Sequence, residues 1–314
     1  MESSFNLVFC GTPQFAVPSL EKLVASGFRV SLVVTQPDRP RGRGMELAFS
    51  PVKQSALKLD LPITQPDKIK NNQEFRDALT ALKPDAIIVV GYGRIIPQWM
   101  IELPKFGNIN VHASLLPKYR GAAPIQWAIA RGETMTGVTI MKIDAGLDTG
   151  DILSQEQLAI NAEDTSETLG PRLAIVGAEL LAKTLLALRA GTIRVHPQDD
   201  AKSTLAPILT KEDGRIDFSL TANEICNRLR GFQPWPGAFT TFHARNFHIW
   251  KAAACDRAIP SGQIIVESDG IFAGCKQNTA LELLEVQPEG KKRMAARDFI
   301  HGYHPRSGDR KSVV

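Results

Sequence analysis

Apolar residues fall in short unbroken runs along the first part of the chain: Phe5-Asn6-Leu7-Val8-Phe9-Cys10, Val30 to Thr35 (VSLVVT) and Ala86 to Val90 (AIIVV). Strands buried on both faces read this way, whereas half-exposed strands alternate. Between the first two runs, Val17, Leu20, Leu23 and Val24 recur at helical spacing within Ala16 to Ser26, and Gly27 stops the pattern. Pro51 to Leu59 and Asn72 to Leu82 are predicted helices flanking a short strand at Pro62-Ile63. Buried strands alternating with helices predict an α/β domain, with a Rossmann-like, mostly parallel sheet covered on both faces. The first turn reads Gly11-Thr12-Pro13-Gln14 and lacks GxGxxG, so no nicotinamide nucleotide is expected; a GxxxxGK[ST] phosphate loop is also absent.

Gly107 to Val111 is a short strand that delivers Asn110 and His112 to one face, two residues apart. Pro117 and Gly121 break regular structure behind it. Pro124 to Arg131 is a predicted helix, Val138 to Ile143 a second strand ending in the turn GLDTGD (Gly146 to Asp151), and Ile152 to Ile160 a strand antiparallel to the sheet. Ser166 to Ala190 reads as a long amphipathic helix interrupted at Pro171. The pattern then changes. Gly191 to Pro207 is polar and aperiodic, a linker by composition. Lys211 to Phe218, Ala238 to Trp250, Gly262 to Glu267, Ile271 to Cys275 and Leu281 to Val286 are short turn-bounded runs, with a helix-like run from Ala222 to Leu229. They predict a smaller OB-like β-barrel. The expected organisation is a catalytic domain over residues 1–190, a linker over 191–207 and a barrel over 208–314.

An amide, an imidazole and a carboxylate at strand ends are suitable parts for acyl-type transfer. The amide can donate to an oxyanion, the imidazole can shuttle a proton, and a carboxylate can orient it. Taken singly, an Asn-x-His is a strand-end hydrogen-bonding pair and a GxDTG is a tight turn. The longer string, NVHASLLPKYRG followed by GLDTGD, resembles the folate-dependent formyltransferase family. That resemblance implies Asn110, His112 and Asp148 as the polar active-site residues, with Asp151 a structural turn residue. It also implies 10-formyltetrahydrofolate as the formyl donor. The folate would lie beside Ser114-Leu115-Leu116-Pro117, with Tyr92 and Gly93 as further pocket wall, at the carboxyl ends of the parallel strands. No metal is expected, and no nucleophilic Ser or Cys stands out.

Gln36 to Ser50 (QPDRPRGRGMELAFS) is too long for a simple connector, and its Arg39, Arg41 and Arg43 suit phosphate contact. A solvated surface loop is the other reading. The sequence QPDRP with GRG, together with GFQPWPGAF (Gly231 to Phe239) and KKRMAARDF (Lys291 to Phe299), resembles the branch of the family that acts on methionyl-tRNA. That branch implies initiator methionyl-tRNA as acceptor, with Arg41 and Arg43 touching its acceptor end. Many relatives continue this loop with two lysines, where this chain has Met45-Glu46. Lys291, Lys292 and Arg293 belong to a basic cluster that suits nucleic-acid backbone on an OB-like barrel, or a solvated charge run. The alternatives on the same scaffold are a formyltransferase for another amine, a formyltetrahydrofolate hydrolase, or a non-catalytic tRNA-binding relative.

Composition adjusts this picture only slightly. The 314 residues allow two cores, and 43% hydrophobic with 22% charged residues is ordinary for a soluble globular protein. A net charge of +4 permits a polyanionic partner without requiring one. Cys10, Cys226, Cys255 and Cys275 form no CxxC pair, which fits a reducing compartment. With no signal pattern and no membrane-length apolar run, a cytoplasmic monomer without membrane contact is expected.

Overall fold

The computed structural model describes residues 5–41 and 46–308. It divides into two compact units, one of Met1–Gly121, Met135–Ala159 and Gly170–Leu205, the other of Ala122–Thr134, Ile160–Leu169 and Ala206–Val314.

The first unit is built on a seven-stranded sheet. Its strands are β1 (Asn6–Gly11), β2 (Arg29–Val34), β5 (Ile63–Thr64), β6 (Ala86–Val90), β7 (Asn108–His112), β8 (Met135–Lys142) and β9 (Ile152–Ala159), in the order β5-β2-β1-β6-β7-β8-β9. The first five pair in parallel, and β8 and β9 are antiparallel additions. The predicted buried runs are the central strands; all five residues of β6 are buried. Helices α1 (Val17–Ala25), α2 (Pro51–Lys58), α3 (Gln73–Leu82) and α4 (Gln98–Ile101) connect the parallel strands. The sequence signals for their starts are used: Ser50 accepts from the Lys53 amide and Asn72 from the Phe75 amide. One face of the sheet packs Val8, Cys10, Val34, Ile87 and Val89 with Phe75, Leu79 and Tyr92.

Two expectations are revised here. The long loop from Gln36 to Ser50 carries a short antiparallel pair, β3 (Arg39–Arg41) with β4 (Glu46–Ala48). Helix α6 (Ser166–Arg189) runs through Pro171 without interruption. The proline sits near the helix start, so the carbonyl it leaves unbonded is that of the exposed Glu167, which water can serve. Helix α6 comes close to β7 and β8 at Gly177, where a Cβ would lie 2.9 Å from Val111 Cγ1 and 3.3 Å from Val138 Cγ1.

The second unit carries helix α5 (Pro124–Ala130), α7 (Ala222–Gly231), α8 (Ala296–Tyr303) and strands β10 (Phe239–Phe242), β11 (Arg245–Cys255), β12 (Ile264–Val266), β13 (Ile271–Gly274), β14 (Ala280–Pro288) and β15 (Met294–Ala295). The strands form a curled antiparallel sheet, β10-β11-β14-β13-β12 with β15 on β14, an OB-like half-barrel. Register shifts between Ile249 and Ala252 on β11 mark a bulge, the device that lets a long strand bend. Phe218, Ile225, Leu229, Phe247, Leu283 and Phe299 fill the core. Helix α5 joins this unit through Trp127, edge-on to Phe232 at 5.3 Å and donating to the Pro207 carbonyl. Lys211 to Phe218 is not a strand. Asp213 accepts from the amide and hydroxyl of Thr210, a short 3-10 turn covers Glu212–Gly214, and only Arg215 bridges to Phe239. Side-chain acceptors have replaced the ladder there.

Candidate active site

Strand β7 runs Asn108-Ile109-Asn110-Val111-His112 and places Asn110 and His112 on one face while Ile109 and Val111 enter the core. His112 is 5% exposed, and its Nε2 lies 2.9 Å from the carbonyl oxygen of Tyr119. A carbonyl only accepts, so Nε2 carries a proton in this contact and Nδ1 is the nitrogen left to face the site. Opposite Nδ1, at 3.6 Å, lies Oδ2 of Asp148.

Asp148 reaches this position by a route the sequence did not reveal. Strand β8 is antiparallel to β7, with Lys142 beside Ile109, so the chain leaves β8 at the far end of β7. It then doubles back. Gly150 makes the return possible, since a Cβ there would stand 1.9 Å from the Lys142 carbonyl, and the Lys142 amide donates to the Asp151 carbonyl. The Asp148 carboxylate receives Asn110 Nδ2 on Oδ1 at 3.4 Å and the Gly121 amide on Oδ2 at 2.9 Å. The three residues of the motif therefore meet. Contacts of 3.4 and 3.6 Å are longer than tight hydrogen bonds.

The structure places the loop Ser114–Pro117 partly inside the fold. Ser114 and Leu116 are buried, and Leu116 packs on Met141 and Ile152. Thr139 Oγ1 donates to the Ser114 carbonyl at 2.6 Å and accepts the Leu116 amide at 3.1 Å, while Gln155 Nε2 donates to the Leu116 carbonyl at 2.8 Å. Leu115 and Pro117 keep partial exposure. The Tyr92 ring belongs to the core, its buried hydroxyl meets no protein acceptor, and its carbonyl accepts from Gln36 Nε2 at 3.1 Å and from Thr12 Oγ1 at 3.3 Å. Gly93 lines a cavity of about 970 Å³ at the carboxyl ends of β1, β2 and β6, with Pro13, Phe49, Arg39 and Arg94 among its walls. Asn110, His112 and Asp148 do not line that cavity.

Of the basic residues, Arg43 lies outside the described residues, and Arg41 is described only as part of β3. Lys291, Lys292 and Arg293 are exposed. The Arg293 guanidinium is paired with Glu285 and lies 5.2 Å over the Trp250 ring. Among the described residues no group of three His, Cys, Asp or Glu is placed to hold a metal ion, and no helix is long and apolar enough to cross a membrane.

Several residues of the site were not anticipated. Tyr119 and Gly121 follow the anticipated loop and could have been found as its continuation. Gln198 could not, because it sits in the aperiodic segment after α6. That segment pairs with the first unit, His196 with Ile152 and Leu205 with Arg120.

A family model described as formyl transferase matches residues 5–185, and one described as formyl transferase, C-terminal domain, matches residues 208–304. A methionyl-tRNA formyltransferase of Koribacter versatilis is 67% identical over 304 residues, 97% of each chain. One of Acidobacterium capsulatum is 58% identical over 300 residues, covering 95% of this chain and 96% of its own. Among solved structures, an N-formyltransferase from Helicobacter canadensis in complex with folinic acid and dTDP-3-aminofucose matches with a TM-score of 0.68. It is 21% identical, over 91% of this chain and all of that one, a likeness of fold.

Proposed function

The chain belongs to the formyl transferase family, and from that premise we propose that Asn110, His112 and Asp148 carry its chemistry. The enzyme transfers the formyl group of 10-formyltetrahydrofolate to the α-amine of methionine on initiator methionyl-tRNA, for translation initiation. The identity of 67% across both domains with a methionyl-tRNA formyltransferase weighs against another amine as acceptor.

Bound 10-formyltetrahydrofolate supplies an activated formyl carbon. The amine attacks that carbon directly, giving a tetrahedral intermediate. Asn110 Nδ2 and a protonated His112 Nδ1 donate to its oxyanion, and Asp148 faces the imidazolium and collects the proton shed by the attacking amine. Collapse breaks the bond between the formyl carbon and the folate nitrogen and leaves the formyl group on the amine as an amide, and the proton held at Asp148 passes to the departing folate nitrogen. The observation that carries this reading is the double use of the Asp148 carboxylate, one oxygen to Asn110 and the other to Gly121 and His112.

The two substrates enter from different walls. The folate lies against the turn after β6 and the Ser114–Pro117 loop and touches Leu115, Pro117 and Gly93; the partial exposure of Leu115 and Pro117 supports this. Ile95, 92% exposed, and Leu147, 62% exposed, are apolar side chains without cover on the flanking turns, which suits a flat pterin ring. The acceptor end of the tRNA takes the cavity bounded by Arg39, Arg94 and Phe49; Arg41 and Arg43 of the same basic segment, and separately Lys291, Lys292 and Arg293 of the barrel, contact tRNA phosphates. Residues 1–190 carry the transfer, 191–207 pack on the first unit and bring Gln198 to the site before leading on, and 208–314 serve as the tRNA-binding domain. The protein works as a monomer in the cytoplasm, where four free cysteines are at home.

The test is formyl transfer to charged initiator methionyl-tRNA, elongator methionyl-tRNA and an amino-sugar nucleotide, side by side. Transfer to the initiator species first is expected. Equal or faster transfer to the sugar nucleotide overturns the assignment.

A further inference from the structure

Arg120 and Gln198 take no part in the reaction above, yet Gln198 bonds the backbone of Asp148 and Arg120 bonds Gln198. The Arg120 side chain is 7% exposed. Its Nε and Nη2 donate to Oε1 of Gln198 at 3.0 and 2.8 Å, and Nη2 also donates to Oδ1 of Asp200 at 2.7 Å. A guanidinium only donates, so the Gln198 amide must turn its oxygen toward Arg120 and its NH2 the other way. That NH2 meets two backbone carbonyls, Asp148 at 2.8 Å and Gly150 at 2.7 Å. Both are obligate acceptors, and the amide orientation is thereby fixed from both sides.

The residue after Arg120 completes the arrangement, since the Gly121 amide holds Asp148 Oδ2 at 2.9 Å. Asp148 is thus gripped at its carbonyl through Gln198 and at its carboxylate through Gly121, both referred to one point on the chain. The Arg120 backbone is itself anchored, its amide donating to the Thr204 carbonyl at 2.8 Å. Asp148 stands at φ +52°, in the left-handed region. Aspartate visits that region at modest cost but does not stay there unaided. A free Asp148 turn would let the carboxylate swing from Asn110 and His112.

We propose that Arg120 and Gln198 are a positioning pair that fixes Asp148 in its working conformer, Arg120 by aiming the Gln198 amide and Gln198 by holding the Asp148–Gly150 backbone. The proposal rests on the reading of Asp148 as the proton-handling carboxylate. A side chain that both accepts and donates suits position 198. A lysine could not accept from Arg120, and a carboxylate could not donate to the two carbonyls.

The test uses the whole chain with Gln198→Met and Gln198→Glu. Glutamate keeps an acceptor for Arg120 and loses only the donors to Asp148 and Gly150. Both variants are expected to lower kcat about 10- to 100-fold, the scale of a catalytic group misplaced by about an ångström, with KM for tRNA and folate within about threefold. In hydrogen exchange without substrates, the Gly121 amide should lose protection about tenfold or more while the Val111 amide in β7 keeps its own. Wild-type turnover in Gln198→Glu overturns the proposal, because the Arg120 contact alone then suffices. So does a loss confined to KM, or unchanged Gly121 protection. The exchange measurement needs no substrate. A wild-type protein inactive on methionyl-tRNA would therefore sink the functional assignment, while Gly121 still decides the clamp.

Discussion

The carbonyl of Tyr119 lies 2.9 Å from Nε2 of His112, and Tyr119 offers it from a left-handed backbone at φ +64°. A tyrosine in that region is strained and is held only by what surrounds it. Here its amide donates to Thr204 Oγ1 at 2.9 Å, and the next residue pairs with the same threonine's carbonyl. The contact commits Nε2 and leaves Nδ1 as the working nitrogen beside Asp148. Asp148 is left-handed too. Both partners of the imidazole are thus presented from conformations that ordinary strands and helices do not supply.

The first prediction follows from that division of the ring. His112→Ala and Asp148→Asn should each lower turnover about 10²- to 10⁴-fold, the usual range for a positioned acid–base or oxyanion group. Asn110→Ala belongs in the same range. Folate affinity, measured by fluorescence titration, should stay within about threefold, since none of the three is assigned to the pterin. Near-wild-type turnover in both His112 and Asp148 variants would move the chemistry elsewhere.

The second concerns what holds β7 in place. Gly177 lets α6 approach Val111, the residue between Asn110 and His112, and the facing methyl sits on a stiff β-branched side chain. Gly177→Val should therefore destabilise the first unit by about 1–3 kcal/mol, as overpacked cores do. Urea denaturation is the measurement. An unchanged midpoint would mean that the helix can move away from the strand at little cost.

The sheet and half the site could be read from the sequence because each rests on a local pattern. Unbroken apolar runs announced β1, β2 and β6, and a spacing of two put Asn110 and His112 on one face. The GLDTGD turn gave Asp148, although not the direction from which it arrives; β8 pairs antiparallel, and pairing partners are not written in a strand's own residues. Arg120 and Gln198 lie 78 residues apart and meet through one planar side-chain contact, which leaves no period to detect. Pro171 and the Lys211–Phe218 run misled for a shared reason. In both, a local rule about proline or alternation yields to where the backbone polar groups sit, at the exposed first turn of α6 around Glu167 and against the Asp213 carboxylate at Thr210.

The third prediction separates the substrates. Arg39 lines the cavity, and Arg43 belongs to the same basic segment. Arg39→Ala and Arg43→Ala should weaken charged-tRNA binding, leave folate binding alone and reduce the slope of log affinity against log salt by about one or less each. Affinity measured across a salt series tests this. Unchanged affinity and slope in both variants would make the segment solvated surface and leave recognition to the barrel.

The fourth lies in the second unit and concerns pH. His248 is half-buried on β11, stacked at 6.1 Å with Trp250 and facing Asn246, and burial pushes its proton affinity down, with Lys211 adding a smaller push. Between its lowered folded value and the ordinary value of about 6.5, His248 binds fewer protons in the folded chain than in the unfolded one. Its contribution to stability is thus fully present above about 6.5 and is lost as pH falls toward the folded value. Asp38, Asp217 and Glu224 are held below the usual carboxylate range by hydrogen bonds with Lys53, Ser219 and Thr221. Glutamine at position 248 keeps a polar side chain that does not titrate. The melting temperature of the wild type should drop more than that of His248→Gln on going from about pH 8 to about pH 5. Parallel curves would mean that the imidazole gains a proton in the folded barrel as easily as in the unfolded chain, and the pH dependence would then have to come from other groups.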